Sequence, residues 1–579
     1  MRTVARALSR FPVLVGVGLI AGLASALYLP FLANPLVFDD LGFFSGRAHA
    51  YYATHPFGLG LRVPASFSLA SVQVVWGHML EHRIVSLALH LACSLALYKL
   101  LYDLLLATRG PDRSREASAY LSAAPWAFMG AAAFAIHPVA VYGAAYLAQR
   151  SIVLATLCSL VSVVLFVRGL ARRSHADAIS AALLYTIAVL SKEHSVLLPA
   201  VAVLTVLLFK PERRFAIRHV AIYLLACAPA AVLVALLTKG LIGGAYEPHF
   251  GAVAAQIEDV YGRRVEDFPW VLSAITQAGL FFKYLSLWLW PDTRAMSIDL
   301  RVDFLAGWAP GWIVLKIAAF LGWGVMGILL LRRRGSAGLA GFGMLYCWIL
   351  FLVELSVARF QEPFVLYRSY LWAPGLMVLV ASGLARVPSR VAIALALLVL
   401  PLLFYQAHHR LRTFSSSLAL WEDAVSKLPR RAVPGGSRTL YNLGREYLYS
   451  DRADQAIAVA ERCLAEYPET YDCHMARASI HLHQEQYRQA IPYLARAIFL
   501  RPESGTVRHH LGVALENLGC LNEAREQYRL ASQLRFRGAD HRLSRLDSPG
   551  SGLLPPVKLK PRTEACDEPL PAAAAPAAR

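Results

Sequence analysis

Apolar stretches of roughly 17 to 25 residues, each long enough to cross a hydrocarbon layer of about 30 Å, recur along this chain. They run from Phe11 to about Gln406. A water-soluble core cannot absorb that much continuous apolar sequence, so this part of the chain is expected to fold as a bundle of helices in lipid. Composition agrees. The 579 residues are 57% hydrophobic and 16% charged, with a mean hydropathy of +0.47. Spans are read near 11–33, 84–106, 121–137, 151–168, 176–191, 194–209, 217–238, 311–331, 338–357, 369–386 and 390–406. One further apolar segment, Trp270 to Trp290, is interrupted by Gln277 and Lys283 and is expected to be re-entrant or interfacial.

Basic loops stay on the cytoplasmic side of a membrane. Arg2, Arg6 and Arg10 form the first basic group; Arg109, Arg113 and Arg115 the second; Arg168, Arg172 and Arg173 the third. Lys210, Arg213, Arg214 and Arg218 follow, then Arg332 to Arg334, then Arg386 with Arg390. All six groups share one side if the chain crosses eleven times and 270–290 does not span. The first loop and the whole C-terminal part then face outward. The net charge of +19 is accounted for by these anchors and does not point to nucleic acid. Ala24-Ser25-Ala26 resembles a signal-peptidase site, but the apolar run continues to Ala33, so an uncleaved anchor is expected.

Beyond Gln406 the pattern turns amphipathic and acquires a period. Ala456, Ala490 and Ala524 recur at 34 residues, as do Pro468 and Pro502, while Gly444 and Gly512 lie 68 apart. Small residues where paired helices cross, and Pro where the second helix stops, are the marks of tetratricopeptide repeats. Three repeats are expected at 437–470, 471–504 and 505–538, after a linker at 407–436 whose segment Leu418–Pro429 reads as half of a degenerate repeat. Such a stack presents a groove for an extended partner segment. The Pro/Ala-rich tail, 539–579, cannot build a core and is expected to be disordered.

Of the eight cysteines, Cys93, Cys158, Cys227 and Cys347 fall inside expected spans and read as small core residues. Cys463, Cys473 and Cys520 would be exported, which leaves a Cys463–Cys473 disulfide open.

Ionisable residues at membrane depth are costly, and so are candidates for function. Asp39 and Asp40 lie just past the first span, where one carboxylate would serve as a base and the other as a helix cap; which takes the proton stays open, with Asp40 preferred as the base and Asp39 as the cap. On the same face fall Arg62, His82, His90, His137 (before Pro138), Arg150, Lys192, Glu193, Glu362, Tyr367 and Arg368. For each there is a plain alternative: an Arg snorkelling to head groups, a His satisfying a neighbour, a Lys-Glu pair capping a turn. Together they suit transfer from a phosphate-linked donor, since Arg and Lys clamp phosphate while a carboxylate takes the proton of an acceptor hydroxyl. No Walker loop, dinucleotide-type glycine turn or His-Glu-x-x-His is present. Two adjacent carboxylates make an incomplete shell for a hard cation, so no metal is expected.

Several blocks in this order resemble a known family. They are Phe38-Asp39-Asp40; Arg62-Val63-Pro64; His82-Arg83 with His90; the run from His137-Pro138 through Tyr142 and Tyr146 to Gln149-Arg150; Ser191-Lys192-Glu193; Tyr367-Arg368-Ser369-Tyr370-Leu371-Trp372-Ala373-Pro374; and the C-terminal repeats. The chain resembles the GT-C membrane glycosyltransferases, most of all the transmembrane-and-TPR O-mannosyltransferase-like group and its bacterial relatives. The resemblance implies an all-α, polytopic membrane fold with a C-terminal TPR solenoid, in a bacterial inner membrane with the repeats on the periplasmic side. It implies transfer of a mannose-like hexose from a polyprenyl-phosphate carrier, with no bound cofactor, to protein Ser or Thr held by the repeats. In that mapping the first-loop acid, Asp39 or Asp40, is the base, and Arg150, Lys192 and Arg368 lie near the carrier phosphate. Two departures stand out. The family's Glu-Arg pair reads Tyr367-Arg368 here, leaving Glu362 as a substitute, and its Arg-Pro is split by Val63. A non-catalytic envelope scaffold, or a ligase acting on a lipid or glycan, are the competing expectations.

Overall fold

A computed structural model describes residues 2–45, 48–56, 58–107, 116–244, 269–302, 310–333, 335–360, 362–547 and 566. Arg109, Arg113, Arg115 and Arg334 of the basic groups, and the expected tail from 548 onward except Cys566, lie outside these residues. The described chain is predominantly helical, and its sole extended pairing is an isolated bridge between Leu300 and Phe364. It divides into two compact units, Met1–Leu420 and Trp421–Arg579.

Among the described residues of the first unit, seven helices are long and apolar enough to cross a membrane: Val13–Phe31, Met79–Ala107, Leu147–Arg172, Arg213–Leu237, Gly311–Leu331, Ser336–Leu355 and Ala394–Thr413. Shorter apolar helices cover four more expected spans, at Ala123–Ala135, His175–Ser191, Glu193–Phe209 and Ala373–Leu384. Large apolar side chains on the outer helices point away from the protein, among them Leu225, Val314 and Leu397. Exposure on this scale is compatible with an apolar surrounding. Helix Arg150–Arg172 is the centre of the bundle and packs on Met79–Ala107 and His175–Ser191.

The ambiguous segment is one helix, Pro269–Leu289, with eleven buried positions. The two residues that interrupt its apolar character have identified work. Gln277 Nε2 donates to Pro363 O at 2.7 Å, and Lys283 lies 4.6 Å over the Phe364 ring. Tyr284 adds a hydroxyl that donates to Val365 O and accepts from Val365 N, both at 2.9 Å. The helix therefore holds the 359–368 loop by its polar positions.

Two boundaries differ from expectation. The last membrane-type helix continues past 406, as Ser389–Thr413, and the unit boundary falls at 420. The chain expected to be disordered from 539 instead forms helix Arg537–Asp547. A buried carboxylate explains it: Glu516 receives Tyr528 Oη at 2.6 Å, Arg542 Nη1 at 3.1 Å and the Arg545 guanidinium, so the last helix is tied to the repeat before it.

In the second unit the repeats are helix pairs Gly436–Tyr449 with Ala453–Glu466, Tyr471–His483 with Tyr487–Leu500, and Gly505–Asn517 with Leu521–Gln533. Ala456, Ala490 and Ala524 are fully buried. Segment Leu418–Pro429 is helical over Ser417–Ser426. Disulfides join Cys463 to Cys473 and Cys520 to Cys566, whereas Cys93, Cys158, Cys227 and Cys347 are free and buried.

Candidate functional site

The Phe38-Asp39-Asp40 corner is held open by Phe38 in the left-handed region, φ 50°. Helix Asp39–Ser45 starts there, and its first two side chains diverge. Asp39 is exposed, while Asp40 is fully buried. Asp40 Oδ1 accepts the Ala148 N–H at 2.7 Å and Oδ2 the Val37 N–H at 3.3 Å. Burial pushes its carboxyl up to about 6, against the pull of Arg83 and those two N–H groups. Asp40 thus braces the corner, and Asp39 faces outward from it. The Tyr146 hydroxyl accepts the Asp39 N–H at 3.0 Å, which fixes the corner from the other side. Arg83 completes the brace by donating to the carbonyls of Asn34, Pro35 and Ala145.

A polar cavity of about 330 Å³ opens in front of Asp39. Arg62, Lys192, Glu193, Glu362, Tyr367 and Arg368 line it, together with His194 and Arg359. Asp39, Arg62, Lys192 and Glu193 stand where helices start or stop. Helix His175–Ser191 stops at Lys192, whose backbone is extended (φ −153°, ψ 116°). Arg62 caps helix Val63–Val75 in the left-handed conformation, with Pro64 in its first turn, so the inserted Val63 is absorbed as the first helical residue. Arg62 Nη2 reaches Glu193 Oε1 at 3.0 Å.

Arg368 finds its carboxylate in an unexpected place. Its Nη1 lies 3.5 Å from Glu354 Oε2 and donates to Glu362 O at 3.0 Å, while Glu362 Oε2 is 4.0 Å from Nη2. Glu354 also holds Arg359 Nε at 3.1 Å and lies 3.0 Å from His194 Nε2. Glu354 and Arg359 were not among the expected residues. A lone carboxylate at the end of an otherwise apolar span was the signal for Glu354; nothing in the spacing marks Arg359.

Lys192 is buried, with burial first and then the Arg62 guanidinium drawing its amine down to about 7. It lies 5.7 Å from the Tyr367 ring centroid. Arg368 is pushed upward by Glu354, although burial opposes that.

The remaining expected residues are buried elsewhere and satisfied. His82 Nε2 donates to Gln73 Oε1 at 3.1 Å. His90 accepts from the Tyr370 hydroxyl at 2.6 Å and donates to Ala135 O at 2.8 Å; His137 donates to Trp288 O at 3.1 Å and accepts from Val139 N at 3.2 Å. Arg150 donates to Ser86 Oγ, Ser68 O and His82 O at 3.2, 3.1 and 2.8 Å. These four tie helices together and do not line the cavity.

Arg62, Glu193, His194 and Arg359 also form one wall of a second, mainly apolar cavity of about 510 Å³. Leu197, Val234, Leu241, Ile242, Leu352 and Val353 are among its other walls. A polar, cation-rich chamber and an apolar groove thus share a wall. Among the described residues no cluster of His, Cys, Asp and Glu has the makings of a metal site.

Residues 441–487 and 484–535 match the tetratricopeptide repeat family. No curated protein matches the chain. The C-terminal unit is therefore a repeat module of the kind that mediates protein–protein interaction, on a chain whose other unit carries helices long enough for a membrane.

Proposed function

We propose that the first unit transfers a hexose from a polyprenyl-phosphate carrier to a hydroxyl, Ser or Thr of a protein, and that the repeats capture that protein. The carrying observation is the shared wall. An amphiphilic donor needs an anion site that opens onto an apolar groove, and the two cavities meet at Arg62, Glu193, His194 and Arg359. The phosphate lies in the chamber near Lys192, Arg359 and Arg368, and the prenyl chain in the groove.

Asp39 takes the proton of the acceptor hydroxyl as its oxygen bonds the sugar carbon. The bond from that carbon to phosphate oxygen breaks, and the electron pair leaves on the carrier phosphate, whose charge the cations stabilise. The paired repeat cysteines, beside four unpaired ones in the first unit, support an oxidising compartment for the repeats, and hence their place outside the cell membrane.

The test is transfer by purified protein from a polyprenyl-phospho-hexose, with the product identified by mass spectrometry. A glycopeptide lost on Asp39→Asn bears the proposal out. Undiminished transfer by that variant removes the base, and a glycolipid or glycan product moves the acceptor to the competing ligase reading. The scaffold reading drew on the missing Glu-Arg pair, and the Glu354 contact to Arg368 weakens that ground.

A further inference from the structure

Most cations of the polar cavity are already tied to carboxylates, Arg62 to Glu193, and Arg359 and Arg368 to Glu354. Lys192 differs. It is 4% exposed and lines the cavity, yet among the described residues no hydrogen bond or ion pair reaches its Nζ. Its charged surroundings come from four elements. Asp39 faces the chamber from the first-loop helix, and Arg62 from the cap of Val63–Val75. Glu193 and His194 follow it in the chain, but Glu193 is engaged by Arg62 and approached by His194 at 3.4 Å. The 352–371 segment contributes Glu354, Arg359, Glu362, Tyr367 and Arg368, with Glu354 bound to its two arginines.

A buried ammonium with no carboxylate hydrogen-bonded to it, among three guanidinium groups, is less favourable than one in water. The amine sheds that cost by releasing its proton. An anion entering the cavity reverses the balance, because it supplies both an acceptor and a countercharge.

We propose that the cavity binds its anionic ligand together with one proton, taken up by Lys192 Nζ from solvent. This rests on the carrier-phosphate reading above. Above the amine's midpoint, binding converts a neutral amine into an ammonium ion paired with phosphate, and departure of the anion releases the proton again. With the amine of the empty site near 7, as cited above, uptake is about 0.9 proton at pH 8 and about 0.1 at pH 6, and affinity falls about tenfold per pH unit above the midpoint.

The probe is geranyl methyl phosphate, a diester whose own charge is constant across this range. Its binding to the full-length protein in detergent is measured by calorimetry in buffers of differing ionisation enthalpy, from pH 6 to 9. The expected result is uptake rising to nearly one proton with a midpoint near pH 7, and none in Lys192→Arg, whose side chain stays charged. Binding by the native protein without uptake, uptake with a distant midpoint, or uptake that persists in Lys192→Arg overturns the proton coupling and leaves the carrier reading standing. If Lys192→Arg fails to fold, the native profile alone decides. No binding at any pH overturns both.

Discussion

The Asp40 carboxylate accepts the backbone N–H of Ala148 at 2.7 Å, across 108 residues of chain. That contact places Asp40 behind the first-loop corner and leaves Asp39 in front of it, on the cavity. The neighbouring carboxylates consequently have separable places, one holding the corner and one facing the cavity.

Asp39→Asn is expected to reduce hexose transfer at least 100-fold, the scale of a lost general base, with little change in melting temperature. Asp40→Asn is expected to lower thermal stability and to spare more of the transfer. Parallel melting curves and initial rates on the two purified variants check the division.

Asp40 also carries a pH signature. Its carboxyl is raised from 3.8 to about 6 in the fold, so between those values the native state binds more protons than the unfolded chain and stability increases as pH falls. Relative to Asp40→Asn, the native protein should gain about 2 kcal/mol between pH 7 and pH 4. Denaturation midpoints of both proteins across that range measure the difference.

Glu354→Gln is expected to cost about 3–5 kcal/mol, because it strands two buried guanidinium groups that now share one carboxylate. Glu362→Gln should cost under about 1 kcal/mol, since that side chain is a third exposed and 4.0 Å from Arg368. Thermal unfolding in detergent separates the two.

Alkylation of the denatured, unreduced protein should label four cysteines, Cys93, Cys158, Cys227 and Cys347, and reduction should expose Cys463, Cys473, Cys520 and Cys566. Each bridge contributes about 2–4 kcal/mol to the repeat unit, so reduction lowers its melting temperature. Mass spectrometry of the labelled peptides reads the pairing directly.

Gly444 and Gly512 occupy the same repeat position but not the same space. A Cβ on Gly512 would lie 2.6 Å from Tyr528 Cε1, whereas on Gly444 the nearest atom is Val459 Cγ1 at 3.9 Å. Gly512→Ala is expected to destabilise by about 1–3 kcal/mol. Gly444→Ala should be neutral or slightly stabilising, because this buried mid-helix position has room for a methyl group. Melting of the two single variants compares them.

The 34-residue period and the apolar runs are local patterns, and they announced the repeat helices and most of the membrane-type helices before any contact was known. Helix ends were less legible. Arg537–Asp547 looked like the start of the disordered Pro/Ala-rich tail because its support, Glu516, lies on another helix. At the site, Arg62, Lys192, Glu193, Glu362, Tyr367 and Arg368 were all legible as charged or polar residues at breaks between apolar segments. His82, His90, His137 and Arg150 carried the same signal and turned out to be internal ties, because a buried polar group that hydrogen-bonds to a neighbour is as costly to misplace as one that binds a ligand.

Sequence alone thus determined that this chain alternates lipid-compatible helices with clustered ionisable groups and ends in a helical repeat, since hydropathy and period act over a few turns of chain. Only the tertiary structure decided which of two adjacent aspartates faces the cavity, that Glu354 holds Arg359 and Arg368, and that an apolar groove adjoins the polar chamber. Successive helical residues point about 100° apart, so side-chain direction is set by what each segment packs against, and those partners lie up to hundreds of residues away.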